Sequence, residues 1–244
     1  DMREVESAQH AIRSFAELFI KVAIDVLQID SGELQLGYQR VRGDEGSLFE
    51  QIYISDKLDN GAGYADKLSE PEQIDLILGF IKDQTKQDWE GLVHHKCDSS
   101  CHNCLRTYEN RRVHGKLNWK LALDMAEIAS GTDFDTNRWF NKLEDKIHNF
   151  IDNFGSMFGD KKVELFKSSG LYGLINQTDK TAVIFTHPLW NNTKKFYWNS
   201  DLEQAYFDLV QQLPEISDID SDKIFINIIA LETNQRKVFE RLVP

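Results

Sequence analysis

Nowhere in these 244 residues does an apolar run approach the roughly 18 residues that a membrane span needs. The opening stretch, DMREVESAQHAIRSF, is too charged for a signal peptide. With neither feature, the expectation is a cytoplasmic chain without a membrane partner. Position 1 is Asp, not an initiating Met, so the chain is expected to be a piece of something longer. Positive charge is also short. Lys and Arg number 28 against 40 Asp and Glu, a formal net charge of −12. That argues against a surface that grips nucleic acid all over, because phosphate contacts need cations. A local basic strip remains open. Cysteine is scarcer still: three, an odd number, all within eight positions. They lie too close together for a disulfide framework, and without a secretory signal a reducing compartment is the default. No internal repeat or low-complexity segment is present. Hydrophobic residues at 41% and charged residues at 28% suit a folded, dissolved protein. The length allows one large domain or two small ones.

The pattern along the chain predicts an α+β first part and a small α/β second part. Residues 3–28 carry Ala8, Ala11, Phe15, Leu18, Phe19, Val22 and Val26 at helical steps, one apolar face on a long helix. Strands are expected over 33–41 and 49–56, where β-branched and aromatic residues gather. Pro71 should open a helix reaching about residue 88, since proline costs nothing in a first turn. Helices are also expected over 105–113, 116–130 and 136–158, with SGTDFD (130–135) as linker. Strands over 162–167, 171–176, 181–187 and 223–231, and a helix near 201–212, complete the expectation. The domains would be 1–132, helices packed on a short sheet with a metal knot, and 133–244, a small α/β unit.

The three thiols sit in HHKCDSSCHNCLRTY (94–108). Zinc takes four Cys or His ligands at tetrahedral corners. Cys101 and Cys104 form a Cys-x2-Cys pair, and His95 and Cys97 can supply two more ligands from an extended approach. Asp98, Ser99 and Ser100 between the pairs allow a tight turn. Cys-x3-Cys-x2-Cys is also the spacing by which radical S-adenosylmethionine enzymes hold a four-iron cluster. Against that, Asn103 stands where those motifs usually carry an aromatic, and the following fifty residues read as helix upon helix rather than as a barrel. Three buried free thiols are the third reading. The fourth ligand is open among His94, His95, His102 and His114. His102 would strain the loop, His94 reads as a supporting or solvent residue, and His114 lies in the basic stretch.

IYISDKLDNGAGYADKL followed by HHKCDSSCHNCLRTYENRRVHGKLNWKLAL resembles the zinc-binding (MrfA-type, MZB) domain found C-terminal to DEAD/DEAH-box helicase cores. Asp56, Gly61, Gly63 and Tyr64 match that family's strand-end Asp and glycine turn, with Asn60 in place of one glycine. Cys97, Cys101, Cys104 and Leu105 match its cysteine motif, with His95 in place of the first cysteine. Tyr108, Asn110, His114 and Leu117 fit the trailing pattern. The resemblance covers roughly residues 5–130. It implies Zn2+ held by His95, Cys97, Cys101 and Cys104, and a helicase core, in the same polypeptide or in a partner subunit, as neighbour. Proteins with this domain act in DNA repair and in anti-phage systems such as DISARM. The motor is not in this sequence: there is no Gly-x4-Gly-Lys-Ser/Thr loop and no DEAD/DEAH box, so this chain should not hydrolyse ATP alone.

Behind the thiols, LRTYENRRVHGKLNWK (105–120) carries Arg106, Arg111, Arg112, Lys116 and Lys120 against Glu109, a net of +4. Tyr108 and Trp119 are interleaved, a combination that suits DNA. The plainer reading is a helix whose charges face water or the acidic remainder. DNGAGY (59–64) could cradle a phosphate but lacks a lysine partner, so a packing turn capped by Asp56 is expected. In the second part, Glu164 and Lys167 stand one residue too far apart for the Glu-x-Lys of restriction-type nucleases, and His187 ends a strand. The expected function is therefore binding and scaffolding within a larger helicase-like protein. A radical iron–sulfur enzyme and a nuclease in the second domain are the alternatives.

Overall fold

A 20-residue helix, α1 (Ala8–Leu27), opens the part of the computed structural model that can be described: residues 7–42, 48–58, 62–91, 94, 97–192 and 194–243. The chain forms two compact units, one over Ser7–Asp135 and one from Thr136 onward. Helix α1 buries Ala11, Ser14, Leu18 and Val22, one stripe at three- and four-residue steps. It stops at Gln28, whose left-handed backbone (φ 54°) lets the Gln28 and Ile29 N–H groups bond back to Asp25 and Ile24.

Strands β1 (Leu34–Arg42) and β2 (Leu48–Asp56) pair antiparallel, with Leu34 opposite Asp56 and Gly37 opposite Tyr53. Asp56 then caps α2 (Tyr64–Leu68): its Oδ1 accepts the Ala65 N–H at 3.2 Å. Gly63 enters that helix at φ +77°, a conformation that side chains disfavour. Asn60 and Gly61, which complete the resemblance at this turn, lie outside the described residues. Helix α3 (Pro71–Phe80) starts on Pro71 and continues through a π turn (Ile81–Thr85) into α4 (Lys86–Glu90).

The helix expected over 105–113 does not form. Residues 105–110 are a loop, and Arg111–Lys116 is a 3-10 turn. Cys104 and Leu105 are buried here, and backbone groups before and after them bond to the cysteine turn rather than to a helical ladder. Helix α5 (Trp119–Ala129) starts three residues later than expected. Asn118 caps it, accepting the N–H groups of Lys120 and Leu121. Leu18, Val22, Ile77, Ile81, Leu117, Leu123 and Ala126 form one core, and Cys104 and Leu105 belong to it.

In the second unit the expected helix over 136–158 is broken. Helix α6 (Asn137–Phe140) and α7 (Leu143–Phe158) are separated at Lys142, which sits at φ 62°. Strands β3 (Val163–Ser168), β4 (Leu171–Asn176) and β5 (Thr181–Thr186) run antiparallel in sequence order. Strand β6 (Phe225–Asn227) joins β5 in parallel. The strand expected over 223–231 is thus only three residues, flanked by short helices α9 (Ser221–Ile224) and α10 (Ile229–Thr233). Asn227 accounts for the end of the strand, since its Oδ1 accepts the Ile229 N–H and turns the chain. Helix α8 (Ser200–Gln212) packs on β3 and β4, and α11 (Gln235–Leu242), which periodicity did not reveal, packs on β5. The whole is mixed α+β. Among the described residues no helix is long and apolar enough to cross a membrane.

Candidate metal centre

The turn from Cys101 to Arg106 is built by its own backbone. The carbonyl of Cys101 accepts the N–H groups of Cys104 (3.2 Å) and Arg106 (2.9 Å), and the Cys101 N–H donates to Cys104 Sγ at 3.1 Å. This folds Cys101 onto Cys104, with sulfurs 3.7 Å apart. Trp119, at the start of α5, fastens the other side. Its N–H donates to the Ser99 carbonyl at 2.8 Å, and its indole Nε1–H to the Cys97 carbonyl at 2.7 Å. Cys97 Sγ is thereby held 4.0 Å from Cys104 Sγ.

The imidazole that faces these sulfurs belongs to His94. Its Nε2 lies 3.4 Å from Cys101 Sγ. The expectation of a solvent-facing His94 is corrected by its surroundings: it is only 6% exposed, with the rings of Trp89 and Trp119 at 5.9 and 5.2 Å. His95, the expected ligand, lies outside the described residues. No periodicity rule tells two adjacent histidines apart. The ring is oriented by the backbone carbonyl of Trp89, five residues earlier, and no sequence signal announces that pairing because every residue carries a carbonyl. His94 Nδ1 lies 3.1 Å from that oxygen, which can only accept, so Nδ1 carries the proton and Nε2 keeps its lone pair toward the thiols. A ring nitrogen anchored on a carbonyl is the usual support of a metal-ligating histidine.

The four ligand atoms of His94, Cys97, Cys101 and Cys104 all lie within 4.8 Å of one another. A tetrahedral ion with metal–sulfur bonds of about 2.3 Å sets sulfurs about 3.8 Å apart, and with a metal–nitrogen bond near 2.0 Å sets sulfur and nitrogen about 3.5 Å apart. The observed 3.7, 4.0 and 3.4 Å fit that figure. A metal ion can be held here with four protein ligands. Among the described residues no other group of three or more His, Cys, Asp or Glu side chains is arranged to hold one.

The electrostatics agree with the geometry. Burial holds His94 below the ordinary imidazole value, favouring the neutral form that binds metals. Burial and the crowding of the other two sulfurs push the Cys97 thiol far up. Burial likewise raises Cys104. At Cys101 burial acts upward, but hydrogen bonds from the Asn103 backbone and the neighbouring thiols outweigh it, and the net direction is down. Three sulfurs packed this closely cannot all ionise without a cation between them. The ammonium of Lys21, which donates to the Cys104 carbonyl at 2.6 Å, is the nearby fixed positive charge.

The remaining predicted residues divide in two. His114 is turned away from the thiols, with Nε2 at 2.8 Å from Asn110 Oδ1 and 2.9 Å from the Thr107 carbonyl. Arg106 is tied inward, its Nε–H donating to Ser100 Oγ at 2.9 Å. Trp119 is 6% exposed and so offers no face to a base, and Lys120 is half-buried with its ammonium 5.9 Å from that ring. Tyr108, Arg111, Arg112 and Lys116 are exposed together on the segment that follows the knot. In the second unit Glu164 pairs with Lys162 at 2.7 Å and Lys167 with Glu144 at 2.6 Å, both at the surface. His187 is buried, its Nδ1 accepting the Leu189 N–H at 3.1 Å.

Comparison of the chain with protein-family models, with curated proteins and with solved structures found no match.

Proposed function

We propose that this chain is a zinc-binding, non-catalytic module of a larger helicase-like protein, acting as a scaffold and as a contact for DNA. One observation carries the metal part: one imidazole nitrogen of His94 and the sulfurs of Cys97, Cys101 and Cys104 gather within 4.8 Å of one another. Zinc is favoured over other ions because three thiolates and one imidazole are its preferred structural donors, and four protein ligands leave no corner for water. A four-iron cluster attaches each cysteine to a different iron, which holds sulfurs farther apart than the 3.7 and 4.0 Å found here. The helicase setting, in DNA repair or phage defence, is supported by the resemblance of Asp56, Gly63, Tyr64 and the cysteine motif. The DNA part is supported by the exposed cations behind the knot.

The scaffold role follows from where the knot sits. Cys104 and Leu105 are buried in the core with α1 and α5, so an ion there ties the 97–117 segment to the body of the unit. The exposed segment after it is then presented on a fixed base.

Metal analysis by mass spectrometry, with an absorption spectrum, tests the first part. One zinc per chain and no visible colour is the expected result; a metal-free protein or a brown, iron-bearing one overturns it. DNA binding followed by fluorescence anisotropy across a salt series tests the second. Replacing Arg111 and Arg112 by Ala should weaken binding and reduce the salt slope by roughly 1 for each phosphate left without its cation. Unchanged affinity and slope would remove DNA from the reading.

A further inference from the structure

The loop between the cysteine knot and α5 leaves one large aromatic ring, Tyr108, outside its own packing. Asn110 builds the loop and is only 8% exposed. Its amide donates to the Leu105 carbonyl (2.7 Å) and to Glu17 Oε2 on α1 (2.8 Å). Its Oδ1 accepts the Thr107 N–H (2.9 Å) and lies 2.8 Å from His114 Nε2. All four hydrogen-bonding positions of the amide are therefore filled. Glu17 is fixed in turn by the Tyr38 hydroxyl, which donates to its Oε1 at 3.3 Å. A buried network of this kind sets a loop in one conformation.

At the tip of that loop stands Tyr108, 75% exposed. The guanidinium of Arg111 lies over its ring, 4.4 Å from the centroid. That contact covers one face of the ring; exposure of this extent leaves the other face to solvent. Arg112 and Lys116 are exposed on the next turn, and among the described residues neither is ion-paired. A duplex requires only cations, because its base faces are stacked inside. An exposed aromatic face on a fixed loop beside cations matches a strand whose bases are unstacked, where stacking tolerates any base.

We propose that Tyr108, backed by Arg111, is a base-stacking platform for single-stranded nucleic acid, with Arg112 and Lys116 taking its phosphates. The proposal rests on the nucleic-acid reading above and narrows it to single strands. Asn110, Glu17 and His114 act as positioning residues that hold the platform, not as contacts.

The test is anisotropy at low salt with the full, zinc-loaded chain, a labelled 12-nucleotide oligothymidine and a 12-base-pair duplex. The expected result is preference for the single strand. Tyr108→Ala and Tyr108→Leu should each weaken single-strand binding roughly 5- to 100-fold, the worth of one stacked base, and leave duplex binding unchanged. Tyr108→Trp should retain binding, and its added fluorescence should be quenched by the oligonucleotide. Zinc content should be the same in all variants, because the ring lies outside the core. Equal affinity for duplex and single strand, or full single-strand binding by the Ala and Leu variants, overturns the platform while leaving the nucleic-acid reading in place; the ring is then free for a protein partner. No binding of either probe by the unaltered chain overturns both.

Discussion

Two adjacent histidines, His94 and His95, show how much a single residue's surroundings decide. They are the same residue type, and the ring of His94 is oriented by the Trp89 carbonyl. Because Trp89 fixes the His94 tautomer with Nε2 toward Cys101, His94→Ala should lower zinc affinity at least tenfold, while His95→Ala leaves it unchanged. A competition titration with a chromogenic chelator reads the difference; the reverse outcome would assign the corner to His95. Glu17 is a second residue whose chemistry is set by its place. Burial raises its carboxyl above the ordinary 4.5, against the hydrogen bonds from Asn110 and Tyr38 that pull it down. The folded state therefore takes up this proton more readily than the unfolded chain. Its favourable contribution is complete below the ordinary value and is lost as pH rises through the folded one. Urea unfolding of zinc-saturated wild type and Glu17→Gln should show the wild type gaining on the variant as pH falls toward the ordinary 4.5. A difference independent of pH would mean the carboxyl is not perturbed.

At the scale of elements, caps and breaks govern more than periodicity does. Helix α5 starts at Trp119 because Asn118 accepts two of the first-turn N–H groups, while its own N–H donates to Ser14 Oγ on α1 at 2.9 Å. Asn118→Ala should cost about 1 kcal/mol, the usual worth of a cap, measured as a lower midpoint in thermal or urea unfolding of the metal-loaded chain. No change would mean that the tertiary contacts of α5 hold its first turn by themselves. The long helix α1 was legible because its apolar face repeats without interruption, and the start of α3 because Pro71 suits a first turn. The loop over 105–110 was not. Its residues include Leu105, Arg106 and Glu109, acceptable to a helix, but Cys104 and Arg106 direct their N–H groups to Cys101 and Asn110 bonds across the loop. The break at Lys142 was equally hidden, since a left-handed residue there needs no glycine or proline to announce it.

For the whole molecule, the candidate metal site belongs to one unit only. The ligands lie within Ser7–Asp135, whereas the second unit has its own core of Phe166, Ile184, Leu202, Leu209 and Phe225. Structural zinc sites in finger peptides supply on the order of 10 kcal/mol or more of folding free energy. Chelation under reducing conditions should therefore lower or abolish one thermal transition and leave a second in place, with zinc restoring the first. Calorimetry with and without a chelator tests this; parallel loss of both transitions would show that the two units do not fold separately. The net charge of −12 also acts at this scale, since it repels nucleic acid everywhere except where cations cluster.

Sequence alone determined the mixed α+β class, the long amphipathic helix α1, and a candidate metal site in the neighbourhood of the three cysteines. Periodicity and ligand spacing are local properties, and a reader of the chain can count them. Tertiary structure decided which histidine faces the sulfurs, which of the basic residues remain in water, and that Trp119 serves the knot while Tyr108 stands outside it. Those choices depend on hydrogen bonds between residues far apart in sequence, such as Asn110 to Glu17 and Asn118 to Ser14, and such pairings exist only once the core has closed.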